Sequence, residues 1–273
     1  MVAKVFLAHQ INTLIQFYNV TIITNTDNDR LLLDNLANEV NVIHLPIKRD
    51  ISLFNDLKAL FLLISIFYKN KFSLAHSVSP KAGLLNSIAA RITSVPNRLH
   101  TFTGQVWFTK KGPAKWILKK LDKMIVSLNT NILVDSHSQK KFLLDQKVLP
   151  KNSSIVLGNG SISGVDINRF RPSKISRNFI RKQLKISENS LVFLFLGRLK
   201  KDKGFCELIE AFKKISISYD NLILLIVGPD EENLKQELIS DFEYNSKFIK
   251  FIDFTNIPEQ YMAASDIFIL PSY

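Results

Sequence analysis

Short apolar runs and amphipathic segments alternate along almost the whole chain. The runs predict strands, and the segments between them, with apolar residues at helical spacing, predict helices. The predicted strands are 20–24, 40–45, 72–78, 98–102, 132–135, 155–157, 191–195, 221–228, 248–254 and 266–273, and the predicted helices are 1–17, 29–37, 52–68, 80–92, 113–128, 138–145, 176–184, 207–212, 230–240 and 258–264. Such alternation predicts an α/β fold with parallel sheets covered by helices on both faces.

One segment without apolar periodicity divides this pattern. Residues 158–164 hold three glycines among serines and one asparagine. Glycine adopts backbone conformations that other residues resist, so this segment suits a hinge. We predict two Rossmann-like domains, at 1–164 and 165–273.

Composition limits the classes of function. The net charge of +12 implies an anionic partner, which is nucleic acid, an anionic membrane surface or a phosphorylated substrate. The single cysteine, Cys206, excludes an intrachain disulfide and fits a reducing compartment. The longest apolar run, residues 59–68, is far shorter than the roughly 20 residues that span a bilayer, and it predicts a buried helix. No zinc-ligand spacing occurs among the histidines and the cysteine, so we predict no metal site.

Two positive side chains lie in the turn that follows the predicted strand 191–195. Arg198 comes directly after Gly197, and Lys203 precedes the next predicted helix. Ligands bind at the carboxyl edge of a parallel sheet, where this turn lies. The planar guanidinium and the mobile ammonium together suit a diphosphate. Spacing alone is equally consistent with solvated loop charges.

Several motifs, in order along nearly the whole chain, resemble the family 4 glycosyltransferases, which are two-domain enzymes of the GT-B architecture. The motifs are Gly158-Asn159-Gly160 with Gly164-Val165-Asp166 and Phe170, Gly197-Arg198-Leu199 with Lys203-Gly204-Phe205, Val227-Gly228, and residues 264–272. Residues 76–83 and 100–107 resemble the branch that builds bacterial capsule and O-antigen units on a lipid carrier.

The resemblance implies transfer of a sugar, with retention of configuration, from a nucleotide-sugar donor with a UDP leaving group. The implied acceptor is a glycan linked to a lipid diphosphate such as undecaprenyl diphosphate, at the inner face of the cell membrane, with a cytoplasmic, peripheral enzyme. It implies no cofactor and no metal, because Arg198 and Lys203 would stabilise the departing diphosphate as a divalent ion does elsewhere. The resemblance makes 1–164 the acceptor-side domain and 165–273 a partial donor domain. The implied donor-binding residues are Gly197, Arg198, Lys203, Gly228, Phe254, Thr255 and Asn256, of which the last three lie beside the nucleobase.

Two turns of the first predicted domain are candidates for acceptor contacts. At the start of helix 80–92, Lys81 would add charge to backbone amides that favour an anion, although a capped helix with a surface lysine is the alternative. The other turn is Thr103-Gly104-Gln105. Many relatives have a histidine where Thr103 stands, so His100 is either displaced from that role or a satisfied core residue.

Residues 106–125 hold both tryptophans and six lysines. Aromatic rings and ammonium groups together are typical of segments at the surface of an anionic membrane. We predict membrane contact by Trp107, Phe108, Lys110 and Lys111. The alternative is that the apolar face of the helix packs on the sheet and the lysines only solubilise the opposite face.

Parts of the family pattern have no counterpart in this sequence. No strand and tight turn precede the first helix, and the pair of glutamates that follows the Pro-Ser turn in the family is absent. We therefore expect a fragment truncated at both ends, with little or no activity. The rival functions are another GT-B enzyme, such as an epimerase or a soluble sugar synthase, a non-catalytic remnant, and a nucleic-acid-binding protein. We predict no nucleic-acid partner, because the lysines form no single stripe with exposed aromatics.

Overall fold

The computed structural model describes residues 7–26, 40–47, 52–239 and 248–272. The chain divides into two compact units, Met1–Gly164 and Val165–Tyr273. The helix predicted at 29–37, the first part of the helix predicted at 1–17 and the end of the helix predicted at 230–240 lie outside the described residues.

Unit 1 holds two parallel sheets in the part of the chain described. The helices and strands of unit 1 are α1 Ala8–Leu14, β1 Thr21–Thr24, β2 Asn41–His44, α2 Leu53–Asn70, β3 Leu74–Ser77, α3 Pro80–Ile92, β4 Asn97–Phe102, α4 Gly112–Leu128, β5 Asn131–Val134, α5 His137–Asp145 and β6 Ser154–Ile155. Strands β1 and β2 pair with each other, and the second sheet has the order β3-β4-β5-β6. Every pair is parallel.

The core of unit 1 lies between these sheets and the helices. One cluster joins Leu63 and Phe67 of α2 to Ala75 of β3 and to Leu85 and Ala89 of α3. A second cluster joins β4 and β5 to α4, α5 and the loop before α4. The helix α3 begins at Pro80, whose fixed φ and missing amide suit the first helical turn.

Unit 2 is built around one four-stranded parallel sheet. Its helices and strands are α6 Lys174–Gln183, β7 Leu191–Leu196, a 3₁₀ turn Lys201–Lys203, α7 Phe205–Ser216, β8 Leu222–Val227, α8 Leu234–Ile239, β9 Ile249–Ile252, α9 Pro258–Ala264 and β10 Ile267–Phe268. The strand order is β10-β7-β8-β9. All three pairings are parallel.

The central strand β8 is buried along its whole length. Alternate residues of β8 belong to two different hydrophobic cores, because successive side chains of a strand point to opposite faces. Leu224 packs with Phe205 and Phe212 on one face, and Leu225 packs with Ile180 and Tyr261 on the other. The prediction of an α/β fold with parallel sheets covered on both faces is therefore confirmed.

Several local expectations were wrong. The helix expected from residue 230 begins at Leu234, because the Asp230 carboxylate accepts the backbone N–H groups of Glu232, Leu234 and Lys235 in the preceding turn. The strand expected over 266–273 is limited to β10.

The helix α2 is only half buried, contrary to the expectation from the apolar run 59–68. Ala59, Leu63 and Phe67 are buried. Phe61, however, is 69% exposed, and Phe54 in the first turn of the helix is 90% exposed. Across the described ranges, no helix combines the length and the apolar character that a membrane span requires.

Candidate functional site

The four strands of unit 2 end at one edge of the sheet. Gly197 follows β7, Gly228 follows β8, residues 254–256 follow β9 and Ser272 lies beyond β10. Since neighbouring strands are parallel, these turns lie side by side at the carboxyl edge. The structure therefore brings all the predicted donor-binding residues to this one edge.

Arg198 lies in a turn that continues the sheet beyond the end of β7. The Leu199 amide donates to the Pro229 carbonyl at 2.9 Å, and the Leu199 side chain is buried. The Arg198 Nη1 lies 3.2 Å from Glu231 Oε2 and 3.4 Å from Glu231 Oε1. The Lys200 Nζ lies 3.0 Å from the same Oε2. One carboxylate thus contacts two cations of the turn after β7.

Lys203 lies in the 3₁₀ turn, and its ammonium donates to Ser272 Oγ at 3.3 Å. Gly204 has φ +65°, and a Cβ there would overlap the Pro271 carbonyl oxygen. The turn after β7 and the segment after β10 are therefore packed against each other at a distance that only glycine permits.

Gly228 makes a second close approach at this edge. Its φ is +148°, and a Cβ would overlap the carbonyl group of Gly197. The Gly197 amide donates to the Val227 carbonyl at 2.9 Å, and the Gly228 amide donates to the Ile252 carbonyl at 2.8 Å. The backbone of three neighbouring turns is thus fixed by hydrogen bonds and by the missing side chain of residue 228.

The segment 254–256 is held by an arginine that the sequence pattern does not mark. Arg169 Nη2 donates to the Asn256 carbonyl at 2.9 Å, and its Nε donates to Glu259 Oε2 at 2.9 Å. Phe254 is 68% exposed. The Thr255 hydroxyl accepts from the Ile257 amide at 3.1 Å. This anchoring leaves the Phe254 ring accessible at the sheet edge.

An arginine network at the amino edge of the same sheet, opposite the candidate site, was also missed from the sequence. Arg181 of α6 donates from Nη2 to Asp266 Oδ2 at 2.8 Å and from Nε to the Ala264 carbonyl at 3.0 Å. Arg177 donates to Asp266 Oδ1 at 2.7 Å, and the Val192 amide donates to Asp266 Oδ2 at 2.7 Å. These bonds tie α6 to β7 and β10. No periodicity in the sequence distinguishes these arginines from surface charges.

The predicted acceptor residues lie at the carboxyl edge of the larger sheet of unit 1. Thr103, Gly104 and Gln105 follow β4, and Thr103 and Gly104 are exposed. Gln105 Oε1 accepts from the Gln139 side chain at 3.4 Å. Lys81 is in the first turn of α3, but its ammonium forms a 2.6 Å ion pair with Asp56 of α2. The expected extra charge at that helix start is therefore compensated within unit 1.

His100 is a satisfied core residue. It is 1% exposed, its Nδ1 lies 2.9 Å from Ser77 Oγ, and its ring packs where a Cβ of residue 83 would be. His76 Nε2 lies 2.8 Å from Thr101 Oγ1. Burial, together with the charge of His76, lowers the pKa of His100 to about 3. Its imidazole is therefore neutral at pH 7, and of the two alternatives for His100 the core role holds.

The prediction that Trp107 contacts a membrane was wrong. Trp107 is 1% exposed, its Nε1 donates to Asp122 Oδ2 at 2.6 Å, and its ring stacks on Phe142 at 5.4 Å. Burial raises the pKa of Asp122 to about 6, although the hydrogen bond from Trp107 opposes this rise. The exposed aromatic rings of this region are instead Phe108, at 63%, and Trp116, at 64%. Lys110 and Lys111 are exposed.

The segment predicted as a hinge makes contacts inside unit 1. The Ser161 amide donates to the Asp135 carbonyl at 2.7 Å, and the Ile162 carbonyl accepts from Gln10 Nε2 at 2.7 Å. Within the described ranges, no group of three His, Cys, Asp or Glu side chains could hold a metal ion.

Two family models match the chain in order. The model described as "Glycosyl transferase 4-like" matches residues 1–136, and the model described as "Glycosyl transferases group 1" matches residues 176–273. The fold is that of the GT-B class. The chain belongs to the glycosyltransferases of the group 1 and family 4-like type.

Two curated relatives and one solved structure give the degree of similarity. A capsular polysaccharide biosynthesis glycosyltransferase, CapM of Staphylococcus aureus, is 33% identical over 84% of this chain and 60% of its own length. A UDP-Gal:α-D-GlcNAc-diphosphoundecaprenol α-1,3-galactosyltransferase of Escherichia coli is 30% identical over 88% of this chain and 62% of its own length. The chain thus spans about 60% of the length of these relatives.

The fold similarity extends to the Anabaena protein HepE, whose structure contains UDP and glucose. Its TM-score is 0.70 at 18% identity, and the match covers 95% of this chain and 68% of that one. This similarity shows the GT-B fold.

Proposed function

We propose that the carboxyl edge of the unit 2 sheet binds the diphosphate of a UDP-sugar, with Arg198 and Lys203 as the cationic ligands. The observation that carries the proposal is the convergence of these two side chains, glycines 197, 204 and 228, and segment 254–256 at one sheet edge. Two cationic side chains at one sheet edge suit the two phosphate groups of a diphosphate. The proposal gains support from the UDP in HepE and from the UDP-galactose in the name of the E. coli relative.

The reaction we propose is sugar transfer to a glycan on a lipid diphosphate, in the synthesis of a surface polysaccharide. The name of the E. coli relative supports the lipid-diphosphate acceptor, and the name of CapM supports a role in polysaccharide synthesis. In this mechanism Arg198 and Lys203 stabilise the negative charge that develops on the departing UDP, so transfer needs no bound metal, and the sugar retains its configuration. We propose that the acceptor is contacted by Thr103, Gly104 and Gln105. Lys81 acts there only if its ion pair with Asp56 opens.

The direct test is transfer of radiolabelled galactose from UDP-galactose to GlcNAc-diphosphoundecaprenol. Arg198→Ala should lower the rate by roughly 100- to 1000-fold, the loss typical when a donor to a developing anion is removed. Arg171→Ala, which removes an exposed arginine of the same unit, should leave the rate unchanged. Equal rates for Arg198→Ala and the unchanged chain would contradict the proposal, and epimerised UDP-sugar without transfer would favour the epimerase alternative.

UDP binding is measured beside transfer, by equilibrium dialysis. Arg198→Ala and Lys203→Ala should each weaken UDP binding, and Arg171→Ala should not. A chain that binds uridine as tightly as UDP would contradict the assignment of the diphosphate site, whatever its transfer rate.

We also propose that one face of unit 1 binds the anionic surface that carries the lipid-linked acceptor. The support is chemical: Phe108 and Trp116 are exposed, and the exposed lysines 110, 111, 120 and 123 lie on the same segment. Exposed rings and lysines bind the interface by apolar burial and by attraction to anionic headgroups. The docking residues are therefore Phe108, Trp116, Lys110 and Lys111, and Trp107 is a core residue.

A further inference from the structure

The acidic residue Glu231 is not among the predicted donor-binding residues, although it contacts one of them. It lies in the turn after β8, next to the turn that carries Arg198. Its carboxylate accepts from Arg198 Nη1 at 3.2 Å and lies 3.0 Å from Lys200 Nζ. Its neighbour Glu232 accepts the Lys201 amide at 3.1 Å. The acidic turn is therefore attached to the cationic turn at residues 198, 200 and 201.

The backbone explains why one carboxylate reaches both cations. Lys200 has the extended conformation, with φ −146° and ψ 152°, and Leu199 forms a parallel bridge with Asp230. In extended backbone, residues i and i+2 lie on the same face. Leu199 points into the core, so Arg198 and Lys200 both lie on the opposite face, where Glu231 meets them.

The contacts of Arg198 divide its guanidinium into two parts. Glu231 uses Nη1. Within the described part of the chain, Nε and Nη2 make no hydrogen bond. A guanidinium that is held at Nη1 can still donate two parallel hydrogen bonds, from Nε and Nη2, to a phosphate group. A free arginine side chain, by contrast, must lose rotamer freedom when it binds.

We propose that Glu231 is a positioning residue, which holds Arg198 and Lys200 side by side with the Nε–Nη2 edge of Arg198 directed to the β-phosphate of the donor. This inference rests on the proposed function of the same sheet edge. Glu231 itself contacts no substrate in this account. Without its carboxylate, the two cations would repel each other and sample other rotamers.

The charge state of Glu231 fits this role. The hydrogen bond with Lys200 and the charge of Arg198 hold the pKa of the Glu231 carboxyl below its ordinary value, although partial desolvation opposes them. The carboxylate is therefore ionised at neutral pH. Arg198 and Glu231 are 39% and 35% exposed, so solvent screens the pair and its effect is modest.

The test is calorimetric titration of the full chain with UDP and with UMP, which lacks the β-phosphate. Glu231→Ala should weaken UDP binding about two- to fivefold, the range that corresponds to an exposed ion pair. Glu231→Gln keeps an acceptor oxygen for Arg198 and should recover at least half of that loss. Binding of UMP should not change in either variant, which a general loss of structure would not produce.

The matched control is Asp220→Ala, which removes the same charge from an exposed residue at the opposite edge of the sheet, before β8. It should bind UDP as the unchanged chain does. The inference is overturned if both Glu231 variants bind UDP more tightly, because the carboxylate would then compete with phosphate. It is also overturned if Glu231→Ala binds UDP unchanged, or if it weakens UDP and UMP equally.

The failure of the proposed function would look different. In that case the unchanged chain would not distinguish UDP from UMP, and Arg198→Ala would bind both as the unchanged chain does. A preference for UDP that Arg198→Ala abolishes and Glu231→Ala leaves intact refutes the role of Glu231 alone.

Discussion

At the residue scale, the glycine at position 228 sets how closely two turns of unit 2 approach. It has φ +148°, and a Cβ would overlap the Gly197 carbonyl, whereas a Cβ on Gly197 would meet only the Phe195 ring at ordinary contact distance. A side chain at a positive φ costs on the order of 1–3 kcal/mol, and the overlap adds to that cost.

Gly228→Ala should therefore lower the free energy of unfolding of the chain by about 2 kcal/mol or more and weaken UDP binding. Urea denaturation measures the first effect, with Gly197→Ala as the matched control, which should cost clearly less. Equal destabilisation by the two substitutions would contradict the close approach at Gly228.

The buried imidazole of His100 makes a prediction about pH. Its pKa is about 3 in the folded state against an ordinary value of 6.5, so the unfolded chain binds the proton first as the pH falls. Stability is therefore lost below pH 6.5. Between pH 7 and pH 5 the loss from this group is about 2 kcal/mol.

The measurement is the free energy of unfolding at both pH values for the unchanged chain and for His100→Asn. Asp122 opposes the effect, because its pKa of about 6 lies above its ordinary value and stabilises the fold as the pH falls through 6. The difference between the two proteins isolates His100. The control is His137→Asn, which changes an exposed histidine and should keep the pH dependence of the unchanged chain. If His100→Asn also kept that pH dependence, the burial of His100 would be contradicted.

The location of the predicted donor-binding residues at a sheet edge could be inferred from the sequence, but not the side chains that pair with them. Arg198, Lys203 and the glycines stand in local motifs next to strands, so their place at a sheet edge follows from the pattern. Three contacts join residues that are distant in sequence: Lys81 with Asp56, Trp107 with Asp122, and Arg198 with Glu231. Nothing in local periodicity encodes these pairs, and the wrong role for Trp107 arose for that reason.

At the scale of elements, helix α4 carries one buried and one exposed side. Asp122 and Ile125 face the core, and Trp116 is exposed with Lys120 Nζ 5.3 Å from its ring centroid. Trp107, in the loop before the helix, completes the buried side. The two tryptophans of the chain therefore report on opposite environments.

Phosphatidylglycerol vesicles should thus shift the fluorescence of Trp116 to shorter wavelength and leave that of Trp107 unchanged. The two signals are separated in the variants Trp107→Phe and Trp116→Phe, with phosphatidylcholine vesicles as the uncharged control. A response from Trp107 alone, or equal responses to both lipids, would contradict the proposed docking face.

Element types were more predictable than element ends. Strands β7 and β8 are pure apolar runs, so their type and burial follow directly from the sequence. The start of α8 depends on how the Asp230 carboxylate binds three backbone amides. The exposed side of α2 was not foreseen because a continuous apolar run does not reveal which residues meet a partner.

At the scale of the whole molecule, the alternation of strands and helices specifies two α/β units, and the matches to two glycosyltransferase models follow the same order. The chemistry depends on a small part of this scaffold. In unit 2, four parallel strands bring turns from distant parts of the sequence to one edge, where cations and glycines combine into a candidate diphosphate site.

A crystal structure of this chain with UDP would test that central claim most directly. We expect the β-phosphate within hydrogen-bonding distance of the Arg198 guanidinium and the Lys203 ammonium, with the uracil beside Phe254. A nucleotide bound elsewhere, or bound with both cations directed away from its phosphates, would contradict the account.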